Sequence, residues 1–331
     1  MSVQASGVEK GATRSPVLDF IKKPLVVAVV LIIALLALGE ALSPGFASLQ
    51  QILRLLVVAA LLGIVAAGQN LVILGGREGI DLSVGGIVSL SAIIAGNLMM
   101  GQNGGILPAI LACLATGALF GLFNGIGVTF LRIPPLVMTL GMLGVLQGLL
   151  VVIRQGIPSG RAAPALGQFV TQPFLLGLPG IIWLWIGIGL LMTFLLRRTV
   201  FGYRVYAIGS NEQAAVMAGV PARAIRVGLF VLSGMFAALA GLCLLGYSGS
   251  SFANVGETYM LPSIIAVVLG GTPLSGGKGG YTGTMAGAVL LVTLQSILTT
   301  LNIDESGRQM IFGVTLLVLM LFYGRGKAMR A

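Results

Sequence analysis

"AIGSNEQAAVMAGVPARAIR", residues 207–226, is the passage that decides how the rest of the chain is read. It is polar, it carries Glu212, Arg223 and Arg226, and it sets two alanines, Ala214 and Ala215, side by side. On either side the sequence is almost unbrokenly apolar. Of 331 residues, 57% are hydrophobic and 8% are charged, against about 25% charged in soluble domains. A core in water cannot absorb that much apolar surface, so the bulk solvent is read as lipid and 207–226 as a loop in water. Glycine supplies 50 residues, roughly double the usual share, as expected where helix backbones approach closely in a bilayer.

Working outward, apolar runs long enough to span lie near 24–42, 52–74, 83–100, 106–131, 134–153, 177–196, 227–248, 281–303 and 309–323. A tenth, 258–271, is short and ends in glycines, so it is expected to be re-entrant or broken. Basic residues decide the count. With the N-terminus in the cytoplasm and ten crossings, fifteen of the 19 Lys and Arg fall inside. The four outside are Arg54, Arg154, Arg161 and Arg308. With nine crossings Arg325, Lys327 and Arg330 would move out, against the positive-inside bias. The expected fold is therefore an all-α polytopic bundle of about ten transmembrane helices with broken or re-entrant Gly-rich segments. Its parts are a cytoplasmic tail (1–23), a membrane domain (24–323) containing a cytoplasmic loop (197–226), and a second cytoplasmic tail (324–331). The net charge of +10 is assigned to inner loops rather than to nucleic-acid binding. Residues 1–23 and the run after them are read as an uncleaved first span. The outer loop 154–176, with its Pro and Gly, is read as an ordered cap or a docking surface.

Two stretches echo each other. "LGGREGIDLSVGG" (74–86) and "LGGTPLSGGKGG" (269–280) share L-G-G, then L-S, then a glycine pair. Either they break helices at depth and leave half-helix ends near a central path, or they are ordinary glycine packing.

The missing chemistry narrows function. None of the nine carboxylates lies in the middle of a span, where a proton-driven transporter usually keeps an ionisable group. Histidine is absent, so a His-ligated intramembrane protease is excluded, and Cys113 and Cys243 are read as small core residues. "GTPLSGGKGG" imitates a phosphate loop, but residue 272 is Thr where Gly is required and residue 279 is Gly where Ser or Thr is required. A transporter with neither an ion site nor an ATP site must borrow energy from another subunit. "QAAVMAG" (213–219), a small-faced segment ended by Gly219 and Pro221, is where such a motor could push, or else a solvated connector.

"GIDLSVGGIVSLS" (79–91), "YAIGSNEQAAVMAGV" (206–220), "VLSGMFAALAG" (231–241) and "GGKGGYTGTMAGAVLL" (276–291), in this order, resemble the permease subunits of bacterial ABC importers for ribose and other simple sugars. The resemblance covers about residues 20–325. It implies a pore of two permeases, homodimeric or with a sister chain, in the bacterial inner membrane. Two cytoplasmic ATPases, which hold the ATP and Mg, drive it, and an extracytoplasmic binding protein delivers the sugar. This chain itself is then expected to be non-catalytic and to need no cofactor. The resemblance places the ATPase-coupling loop at Asn211, Glu212, Gln213, Ala214, Ala215 and Gly219, within a short helix over 211–220. Ala214, Ala215 and Gly219 are expected on or beside the docking face. The family's loop has Glu where this chain has Gln213, so an ion pair from that position is not expected. Asp81 and Ser83 are candidates for the substrate path or gate, with Asp81 also read as a cap for the third span. Ser89, Ser91, Asn97, Asn124 and Gln147 are candidate polar lining for a sugar path, each also able to bond helix to helix. A branched-chain amino-acid permease and a self-contained secondary transporter are the competing readings.

Overall fold

The computed structural model describes residues 24–76, 79–154, 160–252 and 254–328. The expected tails, 1–23 and the end of 324–331, and the loop residues Arg77 and Glu78, lie outside the described residues, as do the side chains of Arg325 and Lys327. The described chain is a helical bundle: α1 (Pro24–Leu42), α2 (Leu49–Leu74), α3 (Val84–Met99), α4 (Ile106–Thr129), α5 (Pro135–Arg154), α6 (Pro164–Thr171), α7 (Gly180–Arg198), α8 (Val200–Ser210), α9 (Glu212–Met217), α10 (Ala222–Ser248), α11 (Glu257–Leu269), α12 (Tyr281–Thr300) and α13 (Glu305–Ala328). The only sheet among the described residues is a hairpin, β1 (Pro173–Leu175) against β2 (Leu178–Pro179).

Seven of these helices, α1, α2, α4, α5, α7, α10 and α12, are long and apolar enough to cross a membrane. The run expected at 83–100 connects the two ends of the bundle but is helical over a shorter length than expected: α3 has 16 residues, about 24 Å at 1.5 Å per residue, less than the ~30 Å hydrocarbon core. It is short because the chain remains non-helical until Ser83 and turns left-handed at Met100. The shortness expected for 258–271 is present: α11 has 13 residues and carries Pro262 inside it.

Two helices form the centre. Residues 59–67 of α2 are almost wholly buried. α10 packs most extensively on α4, then on α3 and α2. The α4–α10 contact follows from sequence: Gly117, Gly121 and Gly125 recur every fourth residue, giving a flat stripe on one helix face. A β-carbon at Gly121 would meet the Val231 Cα at 2.8 Å, and one at Gly125 the Val227 Cα at 2.8 Å. Lipid tails are as apolar as leucine, so close backbone packing, rather than burial, selects this pair.

The connections collect at two ends. At one, Gly277 N donates to Leu74 O at 3.0 Å and Tyr206 Oη donates to Gly279 O at 2.8 Å, joining the end of α2 and α8 to the 270–280 segment. At the other, Gly101 N donates to Arg161 O at 3.1 Å and Ala162 N to Gly249 O at 3.0 Å. The two groups are those into which the basic residues sorted the loops. The described part of the 154–176 loop is an ordered cap, built from these bonds, from α6 and from the hairpin.

Candidate coupling segment and buried polar junction

α9 owes its ends to local chemistry. Asn211 caps it, its Oδ1 accepting from Ala214 N at 3.0 Å. Gly219, at φ +81°, ends it: Gly219 N donates to Val216 O at 2.9 Å and Val220 N to Ala215 O at 3.0 Å. That bond pair is a Schellman motif, and its left-handed residue is the reason helix stops at 217 and not at 220. Glu212 turns inward to Arg226 at the start of α10, 2.8 Å away, fixing both ends of the hairpin-like segment. Of the three residues expected at the docking face, Ala214 and Gly219 are exposed, while Ala215 is 5% exposed and packs inward. The outward face instead carries Gln213, Val216 and Met217, with Met217 89% exposed. The sequence reading passed over Met217. Its signal was an apolar residue inside the one polar passage. Beside α9 opens a cleft of about 960 Å³, lined by Thr129, Arg132, Pro134, Val216 and Arg223 among others.

The same end holds a buried polar junction. Asp81 is fully buried, with Oδ1 accepting from Ser83 N at 3.1 Å and Ser83 Oγ at 2.6 Å, and Oδ2 accepting from Ser233 Oγ of α10 at 2.8 Å. Asn124 Nδ2 of α4 donates to Ser83 Oγ at 2.8 Å. Thus Asp81 does not cap α3 in the expected way. Ser83 occupies the cap position without a side-chain bond to the helix, and Asp81 bonds two residues on while tying the turn to α10. Three of the path candidates, Asp81, Ser83 and Asn124, therefore meet in one network across α3, α4 and α10.

The others do not join it. Ser89 Oγ accepts from Gly256 N at 2.9 Å, pinning the turn before α11. Ser91 is buried in α3, its carbonyl accepting from Cys113 Sγ at 3.3 Å. Asn97 is exposed at the far end of α3. Gln147 is exposed on α5, donating to Glu257 Oε1 at 2.9 Å.

Two residues that the sequence reading missed organise the junction. Gln69 and Asn70 are adjacent and wholly buried near the end of α2. In the amide orientation that satisfies both groups, Gln69 donates to Asp81 O at 3.1 Å and accepts from Asp81 N at 3.2 Å. Asn70 Nδ2 donates to Thr272 Oγ1 at 3.1 Å and Thr284 Oγ1 at 3.0 Å. The signal was available: two amides side by side in a 26-residue apolar helix.

Between junction and coupling segment lies a meeting of bare backbones. A β-carbon at Gly209, in the last turn of α8, would strike Leu74 O and lie 2.6 Å from Gly277 N. Only glycine lets α8 touch both Gly-rich breaks at once. Tyr206, one turn earlier, donates to Gly279 O. Burial pushes its hydroxyl above the ordinary value, against the opposing pull of Arg197, so it remains a donor.

A bundle of apolar helices, two of them short, with broken segments meeting a capped surface helix at one end, is the architecture of a multi-span membrane protein. A family model described as the permease component of branched-chain amino acid transport systems matches residues 51–321, and the chain belongs to that family. Among its relatives is the autoinducer 2 import system permease protein LsrC of Shigella flexneri, 36% identical over 303 residues, 91% of this chain and 86% of that one. The ribose import permease protein RbsC of Bacillus subtilis is 36% identical over 282 residues, 85% of this chain and 86% of that one. No solved structure matches.

Proposed function

We propose that this chain is the transmembrane permease subunit of an ABC importer, forming the pathway for a simple sugar, ribose or a related monosaccharide or polyol. A separate ATPase holds ATP and Mg and supplies the energy, an extracytoplasmic binding protein delivers the cargo, and a second permease copy or sister chain completes the pore. The membrane is the bacterial plasma membrane, with 1–23, 197–226 and 324–331 on the cytoplasmic side. This chain then has no catalytic role and needs no cofactor of its own.

The observation that carries the reading is α9: capped at Asn211, closed at Gly219, held by Glu212–Arg226, and presenting Val216 and Met217 to the outside at the end where both broken segments meet. A solvated connector has no reason to fix its backbone so firmly while exposing apolar side chains. Docked in a groove of the ATPase, the same face buries them. The cargo class rests on the relatives named for ribose and autoinducer 2, over the amino-acid wording of the family description.

The test is reconstitution of the chain with its ATPase and binding protein in liposomes. ATP-dependent uptake of a labelled pentose or related sugar, absent with either partner omitted and unaffected by excess leucine, is the expected result. Leucine uptake would install the amino-acid reading instead. Uptake by the chain alone, driven by a gradient, would overturn the proposal.

A further inference from the structure

We propose that the β1–β2 hairpin is a lipid anchor, its tip seated at the headgroup–acyl boundary at the end opposite α9. The tip residues Phe174, Leu175 and Leu176 are 67%, 53% and 82% exposed. The hairpin closes through a two-residue turn in which Leu176 has φ +51° and Gly177 φ +75°. Such turns favour Asn-Gly or Gly-Gly. A leucine held left-handed is strained by roughly 1–2 kcal/mol and has no polar group to offset it. The chain thus accepts backbone strain to keep a large apolar side chain at the most exposed point of the loop, which in water would be a second penalty.

The surroundings have the chemistry of a lipid contact. No charged residue occurs in sequence between Arg161 and Arg197. The charge beside the hairpin is Arg54 of α2, which with Gln50 lines a cleft against Pro173, Gly177 and Pro179. A long basic side chain next to exposed leucines suits the headgroup level, with its stem in apolar surroundings and its head in water. Pro173 pairs with Pro179 at the base of the hairpin. Neither has an N–H, so two donors that low dielectric would leave unsatisfied are absent. Trp183 Nε1 donates to Leu175 O at 3.1 Å, folding the hairpin against the first turn of α7. Trp183 shares one helix face with Gly187, Leu190 and Phe194, and the last two are 69% and 60% exposed. The hairpin continues this outward apolar face, and tryptophan at that depth is an interfacial anchor.

The experiment uses the full chain in nanodiscs, with Cys113 and Cys243 replaced by alanine and a nitroxide on Leu176→Cys or, separately, Phe174→Cys. Leu190→Cys is the lipid reference and Asn302→Cys, on an exposed loop, the water reference. Collisional accessibility to oxygen should exceed that to a water-soluble nickel chelate at 174 and 176, as at 190, and adding the binding protein should change neither. Nickel accessibility as high as at 302, falling when the binding protein is added, would make the hairpin a protein-docking surface and overturn the anchor. Low accessibility to both reagents, with dipolar broadening between labels, would place it between two permease copies and equally overturn it. None of these outcomes depends on the cargo or on the ATPase, so failure here leaves the importer reading standing.

Discussion

The two broken segments of the bundle begin alike and are held differently. After α2 and after α11 the helix ends in a glycine pair whose second member is left-handed, Gly76 at +75° and Gly271 at +89°. An L-S pair follows in each, Leu82–Ser83 and Leu274–Ser275. In the first break Ser83 is wholly buried and bonded to a buried carboxylate. In the second Ser275 is exposed, and apart from the Asn70–Thr272 side-chain bond the loop is attached through its backbone, by Gly277 N to Leu74 O and by Tyr206 to Gly279 O. Similar sequence has thus made one lock of side chains facing α4 and α10, and one of main chain facing α8. α10 begins three residues after Gly219, the left-handed residue that ends the coupling helix, and α8 ends just before that helix. Both locks therefore connect α9 to the bundle, from opposite flanks, and the first is specified by more side chains.

The sharpest test removes the first lock. Asp81→Ala leaves the Ser83 N–H, the Ser83 hydroxyl and the Ser233 hydroxyl without their acceptor in a site closed to water. A loss of about 3–5 kcal/mol of stability is expected, read as a large fall in the thermal midpoint of purified protein, together with loss of transport. Thr272→Val in the second break should lose far less, since Asn70 keeps Thr284. Equal losses would end the distinction between the locks.

The second lock is broken by bulk. Gly209→Val drives a side chain into Leu74 O and the Gly277 backbone, and overpacking of this kind typically costs about 1–3 kcal/mol. Insertion and yield should hold, because the clash reaches only the last residue of α2 and leaves the apolar length of the spans unchanged, while ATPase stimulation by loaded binding protein is lost. Gly219→Ala, where a β-carbon would meet nothing within 4 Å, should cost only the local strain of its positive φ, about 1 kcal/mol. Transport by Gly209→Val at the wild-type rate would mean that the backbone contact transmits nothing.

How much of this was legible in sequence follows from the physics of each lock. The membrane bundle, its loops and their two ends could be read from apolar length and from the placement of Arg and Lys, because both are properties of the sequence one residue at a time. Asp81, Ser83 and Asn124 could be named as polar residues in apolar surroundings, but not as partners, since their separation in sequence says nothing about which faces of α3 and α4 meet. Gly209 was not legible at all: a glycine whose role is to let two other loops approach has no local pattern. Ala215 was read outward because two adjacent alanines look alike in sequence, whereas on a helix they point about 100° apart and only one can face the bundle.

Smaller again is the paired serine test. Ser83→Ala removes a donor to Asp81 and an acceptor for Asn124, so a loss of about 1–2 kcal/mol is expected. Ser275→Ala, at an exposed site, should stay within about 0.5 kcal/mol. Thermal midpoints of the two variants, measured side by side, check it, and a larger shift at 275 would reverse the assignment of side-chain lock and main-chain lock.

The smallest effect asks whether the locks are one unit. Gln69 serves the first break and Asn70 the second, from consecutive positions on α2. If α2 merely carries two independent bonds, a double-mutant cycle between Asn70→Ala and Thr284→Val should give a coupling near the ~0.6 kcal/mol typical of membrane hydrogen bonds. A cycle between Asn70→Ala and Ser83→Ala should then give none, since sites without shared partners add. If instead the breaks move together when α9 is pushed, disturbing one already loosens the other. The second cycle would then show a coupling as large as the first, in unfolding and, more directly, in transport rate. Measured that way, the Gln69–Asn70 pair reports whether the force reaching the bundle from α8 and α10 is divided between two joints or delivered to a single one.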